Sequence, residues 1–203
     1  MTSTTSRAAS SAEPPTTRRE QILDAAVELF AQTGYRGTSI AAVAEKVGIT
    51  DAGVLYHFNT KEDLLLGVLG HFDRAVAQTL EEVGVRGIDL LRVMAEWGAG
   101  MEDTPGISSL LIHLSAENLI TDSPARRFIQ GRYENLLDRL TEAFTLAATS
   151  GDLRADLDAR FEAAALIAHL DGIRLQWFLL DQSFSMADDV RTYVTATLAR
   201  LAP

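Results

Sequence analysis

Apolar residues recur at helical spacing along nearly the whole chain, and no run alternates with a period of two. The pattern predicts an all-α protein. A first helix is expected from about Thr17 to Thr33, with Ile22, Ala25, Ala26, Leu29 and Phe30 as its apolar stripe and Gly34 as its stop. Thr38 reads as the cap of a short helix whose inner face holds Ile40, Val43, Ala44 and Val47, and Gly48 ends it. Thr50 caps the next short helix, through about Phe58, and Asp51 in its first turn suits the helix dipole. Thr60 caps a fourth, which runs to about Glu82. After a break at 83–87, helical segments are expected near Ile88–Met101, Gly106–Leu119, Ser123–Thr149, Asp156–Leu180 and Ala187–Leu201, about nine helices in all. Pro105 and Pro124 suit first-turn positions.

Residues 1–16 depart from this periodicity. They are rich in Ser, Thr, Ala and Pro and read as a flexible tail, either a solvated leader or, through Arg7, Arg18 and Arg19, a basic arm. The expected organisation is a tail at 1–16, a small helical head at 17–64 and a larger helical body at 65–203.

Charge refines this division. The chain carries a net −10, which argues against indiscriminate nucleic-acid binding. Residues 1–64 hold six basic against eight acidic residues, and the rest hold 12 against 20, so the acid load sits in the body. No cysteine is present, which removes disulfides and thiolate metal sites. The N-terminus lacks the apolar segment of a signal peptide, and no run approaches the roughly 20 apolar residues of a membrane span, so a cytoplasmic protein with no membrane partner is expected.

The informative stretch is TSIAAVAEKVGITDAGVLYHF, from Thr38 to Phe58. Two short helices meeting at a Gly-containing turn form a helix-turn-helix. The second helix must be slim at its N-terminus to enter a major groove about 12 Å wide. Thr50, Asp51, Ala52 and Gly53 meet that need, while Ile49, Val54 and Leu55 are expected to anchor the helix inward. Tyr56, His57 and Lys61 follow where the chain turns away, suited to phosphates.

From about Arg18 to Leu66 the chain resembles the TetR family of regulators. The ILDAA…LF stripe, the GY-x-GTS link, the VA-xx-VGIT turn, the LYHF end and the TKEDLL start match in order and spacing. The resemblance implies phosphate contacts from Thr38 and Ser39, a hydroxyl from Thr50 at the head of the recognition helix, contacts from the Tyr56–His57 pair, and a cation from Lys61. Arg18 and Arg36 are counted with them as a local basic rim. Asp51-Ala52-Gly53 departs from the family's common Lys-Gly-Thr. Asp51 either accepts from a cytosine amino group or only caps the helix. Tyr56 packs against the first helix or faces DNA. His57 and Lys61 are either surface residues or DNA contacts.

In the body, the segment from Ala168 to Trp177 resembles the penultimate helix of many members, in which the last two long helices pair with their copies. One stripe, Phe161, Ala165, Ala168, Gly172, Leu175 and Leu179, has small residues suited to close helix approach, and Tyr193, Val194, Thr197, Leu198 and Leu201 form another. Both stripes suit a homodimer interface or a core within one protomer. The opposite face carries Leu166, His169, Ile173 and Trp177. Facing segments offer Trp97, Met101, Leu110, His113 and Leu114, with Glu117, Tyr133 and Leu137. Large apolar groups with a few polar ones line either a small-molecule pocket or a core. His113 and Glu117 lie one helical turn apart, but with four histidines and no cysteine no metal site is expected, and no cofactor.

The leading expectation is a DNA-binding transcriptional regulator, a repressor, reading an inverted repeat and answering to a small-molecule effector. The alternative is a ligand-independent architectural DNA binder, which would call for a basic body. No nucleophile elbow, phosphate loop, zinc-binding helix or Rossmann fingerprint occurs, so catalysis is not expected.

Overall fold

A computed structural model describes residues 17–117, 119 and 122–203; the expected tail lies outside them. Among the described residues the chain forms ten helices and no strand: α1 (Arg18–Gly37), α2 (Ile40–Val47), α3 (Asp51–His57), α4 (Lys61–Val83), α5 (Ile88–Met94), α6 (Trp97–Asp103), α7 (Pro105–Glu117), α8 (Pro124–Thr149), α9 (Ala159–Leu179) and α10 (Met186–Arg200). The all-α expectation holds. The helix count rises from about nine to ten because the segment expected at 88–101 is two helices. Neither Gly nor Pro marks the break. The cause is tertiary. The Glu102 carboxylate accepts from the Ala187 backbone N–H at 3.0 Å, and Glu96 holds Arg191 at 2.9 and 3.1 Å. Both contacts hold the start and end of α6 against the start of α10.

Side-chain caps fix the starts of the helices. Thr17 and Glu20 form a reciprocal capping box at α1, and Thr50, Thr60, Ser123, Asp158 and Ser185 cap α3, α4, α8, α9 and α10. Each such cap contributes about 1 kcal/mol. At α2 the cap is Ser39, whose hydroxyl accepts from the Ala42 N–H at 3.1 Å; this corrects the assignment to Thr38. Gly34 breaks α1 as expected, with φ 72°, and Tyr35–Gly37 continue as a single further turn.

Two apolar clusters organise the chain. One gathers Ile22, Phe30, Val43, Val54 and Leu65 from α1–α4, and it also takes Ile107, Leu110, Leu111 and Leu114 from α7. The other fills the body around Met94, Phe144, Leu166, Trp177 and Met186. Helix α4 runs unbroken across the expected boundary at 64/65 and belongs to both regions: Leu64, Leu65, Val68 and Leu69 lie in the first cluster and Leu80 packs on the second. Among the described residues no helix is long and apolar enough to cross a membrane.

Candidate nucleic-acid interface and body cavity

The turn between α2 and α3 needs Gly48, which sits at φ 74°, ψ 38°, a left-handed conformation that L side chains resist. Its N–H reaches the Ala44 and Glu45 carbonyls, and the Ile49 N–H donates to Ala44 O at 2.9 Å. The turn leaves α3 pinned on one side only. Val54 is fully buried and Phe58, just past the helix, is nearly so. Leu55 is not an inward anchor as expected: one residue on from Val54, it rotates about 100° around the helix and becomes exposed.

The residues expected to face DNA are distributed as follows. Ser39, Thr50, Asp51 and Ala52 are exposed at the starts of α2 and α3, with Gly53 half-buried beside them. A Cβ at Gly53 would meet only Ile49 and Thr50 side-chain atoms, at 3.4 Å and beyond, so packing within the chain does not demand glycine there. Tyr56 is 85% exposed and does not pack on α1. His57 stands edge-on to it at 5.2 Å. The Lys61 ammonium lies 4.4 Å from the centre of the Tyr35 ring, which ties the turn bearing Arg36 to the start of α4. Partial burial lowers the Lys61 pKa. Arg18 is exposed and donates to Gln21 at 2.8 Å.

Thr38 departs from the expected phosphate role. It is 4% exposed, and its hydroxyl lies 2.9 Å from Gly34 O and 2.8 Å from the Thr33 hydroxyl. Those bonds lock the bend between α1 and α2 and leave no face for a phosphate. Arg19, one of the basic residues next to the tail, packs back on the head. Its guanidinium sits 4.8 Å from the centre of the Phe58 ring.

The body contains two adjoining cavities of about 270 and about 220 Å³. They share Phe72 and Leu80 from α4, Met94 from α5, Trp97 from α6 and Arg132 from α8. Of the expected pocket residues, Trp97 and Met101 line them. Of the others, those whose side chains are described lie elsewhere. Leu110 and Leu114 are buried against the head. Leu166, Ile173 and Trp177 belong to the body core, and Leu137 packs on it; the Trp177 indole N–H donates to Phe184 O at 3.0 Å. His113 is exposed, its Nδ1 3.1 Å from Ser109 O, and the Glu117 side chain lies outside what is described. His169 stacks on Tyr193 at 3.8 Å. Its Nε2 is 3.0 Å from Asp189 Oδ1, close enough for an ion pair yet not aligned for a hydrogen bond. The Tyr133 hydroxyl donates to Asp171 at 2.6 Å; burial, reinforced by that carboxylate, pushes its pKa up to about 12. Sequence reasoning missed the cavity arginines. The one available signal was a charged residue inside an apolar run, as at Arg174.

The stripe on α9 lies on the surface of the protomer and not in its core: Phe161, Ala168, Leu175 and Leu179 are exposed, with Ala165 and Gly172 half-buried between them. The α10 stripe is corrected. Val194, Thr197 and Leu201 are buried within the protomer, and Tyr193 and Leu198 pack against the same core.

Residues 22–68 match the model of the bacterial regulatory proteins of the tetR family, and residues 108–203 match that of the BetI-type transcriptional repressor C-terminal domain. The HTH-type transcriptional regulator TtgR of Pseudomonas putida is 32% identical over 200 residues, spanning 91% of this chain and 92% of its own. The chain belongs to the TetR family. Members of the TetR family are transcriptional regulators that bind operator DNA, typically as dimers, with small-molecule effectors. The fatty acid metabolism regulator protein of Bacillus subtilis is 24% identical, over 82% of this chain and 86% of its own. Among solved structures the TetR fold recurs in FadR from Bacillus subtilis in complex with stearoyl-CoA (TM-score 0.70, 21% identity, 88% and 96% of the two chains). It recurs also in SmeT, the repressor of the Stenotrophomonas maltophilia multidrug efflux pump SmeDEF (TM-score 0.74, 23% identity, 93% and 92%).

Proposed function

We propose that this TetR-family regulator is a repressor whose hold on an operator inverted repeat is altered by a small molecule in the body cavity. The observation that carries the reading is the course of α4. Its first half buries Leu64, Leu65, Val68 and Leu69 in the head, and its second half supplies Phe72, Asp73, Arg74, Ala77 and Leu80 to a cavity wall. A molecule that prefers one position of α4 therefore biases the pose of α3, which is all that coupling between two sites requires. The apolar face of α9, where Leu179 is 72% exposed, supports pairing with a second copy. Two-fold symmetry then sets two α3 helices about one DNA turn, roughly 34 Å, apart.

A gel-shift titration against a palindrome from the gene's own upstream region tests this. Specific binding at physiological salt is expected; binding no tighter than to random duplex would sink the reading. Lys61→Ala should weaken binding to all sequences alike and reduce the salt slope by about 1. A slope identical to wild type would place Lys61 away from the phosphates. Asp51→Ala should relax preference at one operator position, by about 1–3 kcal/mol against the wrong base. Altered stability with unaltered preference would leave Asp51 as a first-turn charge only.

A further inference from the structure

The cavity walls carry a charge pattern opposite to that of the chain. Against a net −10, the two cavities are lined by Arg74, Arg132, Arg139 and Arg174 with only two acids, Asp73 and Glu96. Both acids are engaged. Asp73 accepts from Arg132 through both oxygens at 2.9 Å, and Glu96 is held by Arg191, whose pairing keeps the Glu96 carboxyl below its usual pKa. The walls therefore present surplus positive charge to any occupant.

Arg174 is the focus of that surplus. It is 8% exposed, yet its partners are poor. Its Nε donates to the Met101 sulfur at 3.3 Å, and sulfur is a weak acceptor. Its Nη1 forms a long ion pair with Asp171 Oδ1 at 3.6 Å, beyond hydrogen-bond distance, and the other oxygen of Asp171 already accepts from the Tyr133 hydroxyl at 2.6 Å. A guanidinium offers five donors in a planar fork. Among the described residues only one of the five at Arg174 makes a hydrogen bond. None of the unpaired nitrogens is sealed from solvent, so the free donors of the fork are open to the cavity that Arg174 lines, and the fork matches a carboxylate in shape and charge. Around it the wall is apolar: Phe72, Met94, Trp97, Ile107 and Leu111. The space that Arg174 lines, about 220 Å³, falls below the roughly 300–1,000 Å³ of ordinary ligand pockets, so an occupant confined to it is compact.

We propose that the effector is a compact carboxylic acid with an apolar body, its carboxylate received by Arg174 and its body lying against Phe72, Met94 and Trp97. The proposal rests on the reading of the cavity as the effector site and names the class of molecule that site takes.

The test uses the full chain and three matched probe sets: octanoate and 4-phenylbutyrate, their methyl esters, and octylamine with 4-phenylbutylamine. Binding is read by thermal shift and tryptophan fluorescence, and operator release by gel shift. The acids should bind about 10- to 100-fold more tightly than the esters, as loss of a charged hydrogen bond implies, and the amines should bind least. Arg174→Gln should abolish the preference of acid over ester, and Arg174→Lys should retain part of it. Esters or amines that bind as well as the acids would overturn the carboxylate assignment while leaving the regulator reading intact if they release the operator. Failure of all three sets to bind would also overturn the assignment, and the operator titration described above would judge the regulator reading separately. The comparison of acid with ester on the unaltered protein stands even if Arg174→Gln fails to fold.

Discussion

Phe58→Ala should destabilise the protein by about 3–5 kcal/mol, the usual result of removing a buried aromatic ring, and should abolish tight operator binding. Phe58 is 3% exposed and follows directly on α3, where its N–H donates to Val54 O at 3.0 Å. The ring lies under the Arg19 guanidinium and fills a slot opened by Gly67 on α4: a Cβ at Gly67 would stand 2.6 Å from Phe58 Cε1 and 3.2 Å from Leu23 Cδ2. Together with Val54 it decides the angle at which α3 leaves the head. A urea titration should show a lower midpoint with an unchanged slope. An unshifted midpoint would show that the ring is not the anchor. The slot supplies a second check. Gly67→Ala alone should cost about 1–3 kcal/mol through overpacking. In the Phe58→Ala background the same methyl enters the vacated space and should cost less, giving a coupling of about 0.5–3 kcal/mol.

Gly98→Ala should also be severe, because the obstacle is backbone. The new Cβ would lie 2.7 Å from Ala187 Cα and 2.7 Å from Met186 O, and neither atom can rotate away. Helix α6 must then lift from α10, stretching the Glu102–Ala187 and Glu96–Arg191 contacts. A loss at or above the upper end of about 1–3 kcal/mol is expected. For a chain of this size that lowers Tm by roughly 2–4 °C per kcal/mol. Since Trp97 and Met101 flank Gly98 and line the cavities, ligand affinity should fall as well. An unchanged Tm would mean that α6 and α10 are less closely packed than described.

Local chemistry made much of the fold readable. Hydroxyl caps at Thr50 and Thr60, the left-handed Gly48 and the first-turn prolines each act within a few residues of themselves. What failed was non-local. Periodicity reports that Val194, Thr197 and Leu201 share a buried face, but not whether a partner or the same chain buries it. The same ambiguity put Leu110 and Leu114 in a pocket when they seal the head. The break at 95–96 has no residue of its own to announce it; α10 imposes it from about 90 positions away. Thr38 and Ser39 are adjacent hydroxyls, and only the buried bonds of Thr38 decide that Ser39 is the cap. For the cavity, Trp97 and Met101 were visible as large apolar groups, whereas the arginines converge from α4, α8 and α9 and share no spacing in the chain.

The leucines of α7 have a consequence for how such regulators can be recombined. Leu110, Leu111 and Leu114 share a buried cluster with Ile22, Leu23 and Phe30. The DNA-reading unit is thus completed by a helix encoded more than 40 residues after α3 ends. A graft of residues 17–83 onto another body would arrive with an open apolar flank. A chimera that keeps its operator choice must bring its own α7, or a recipient helix with leucines in the same register.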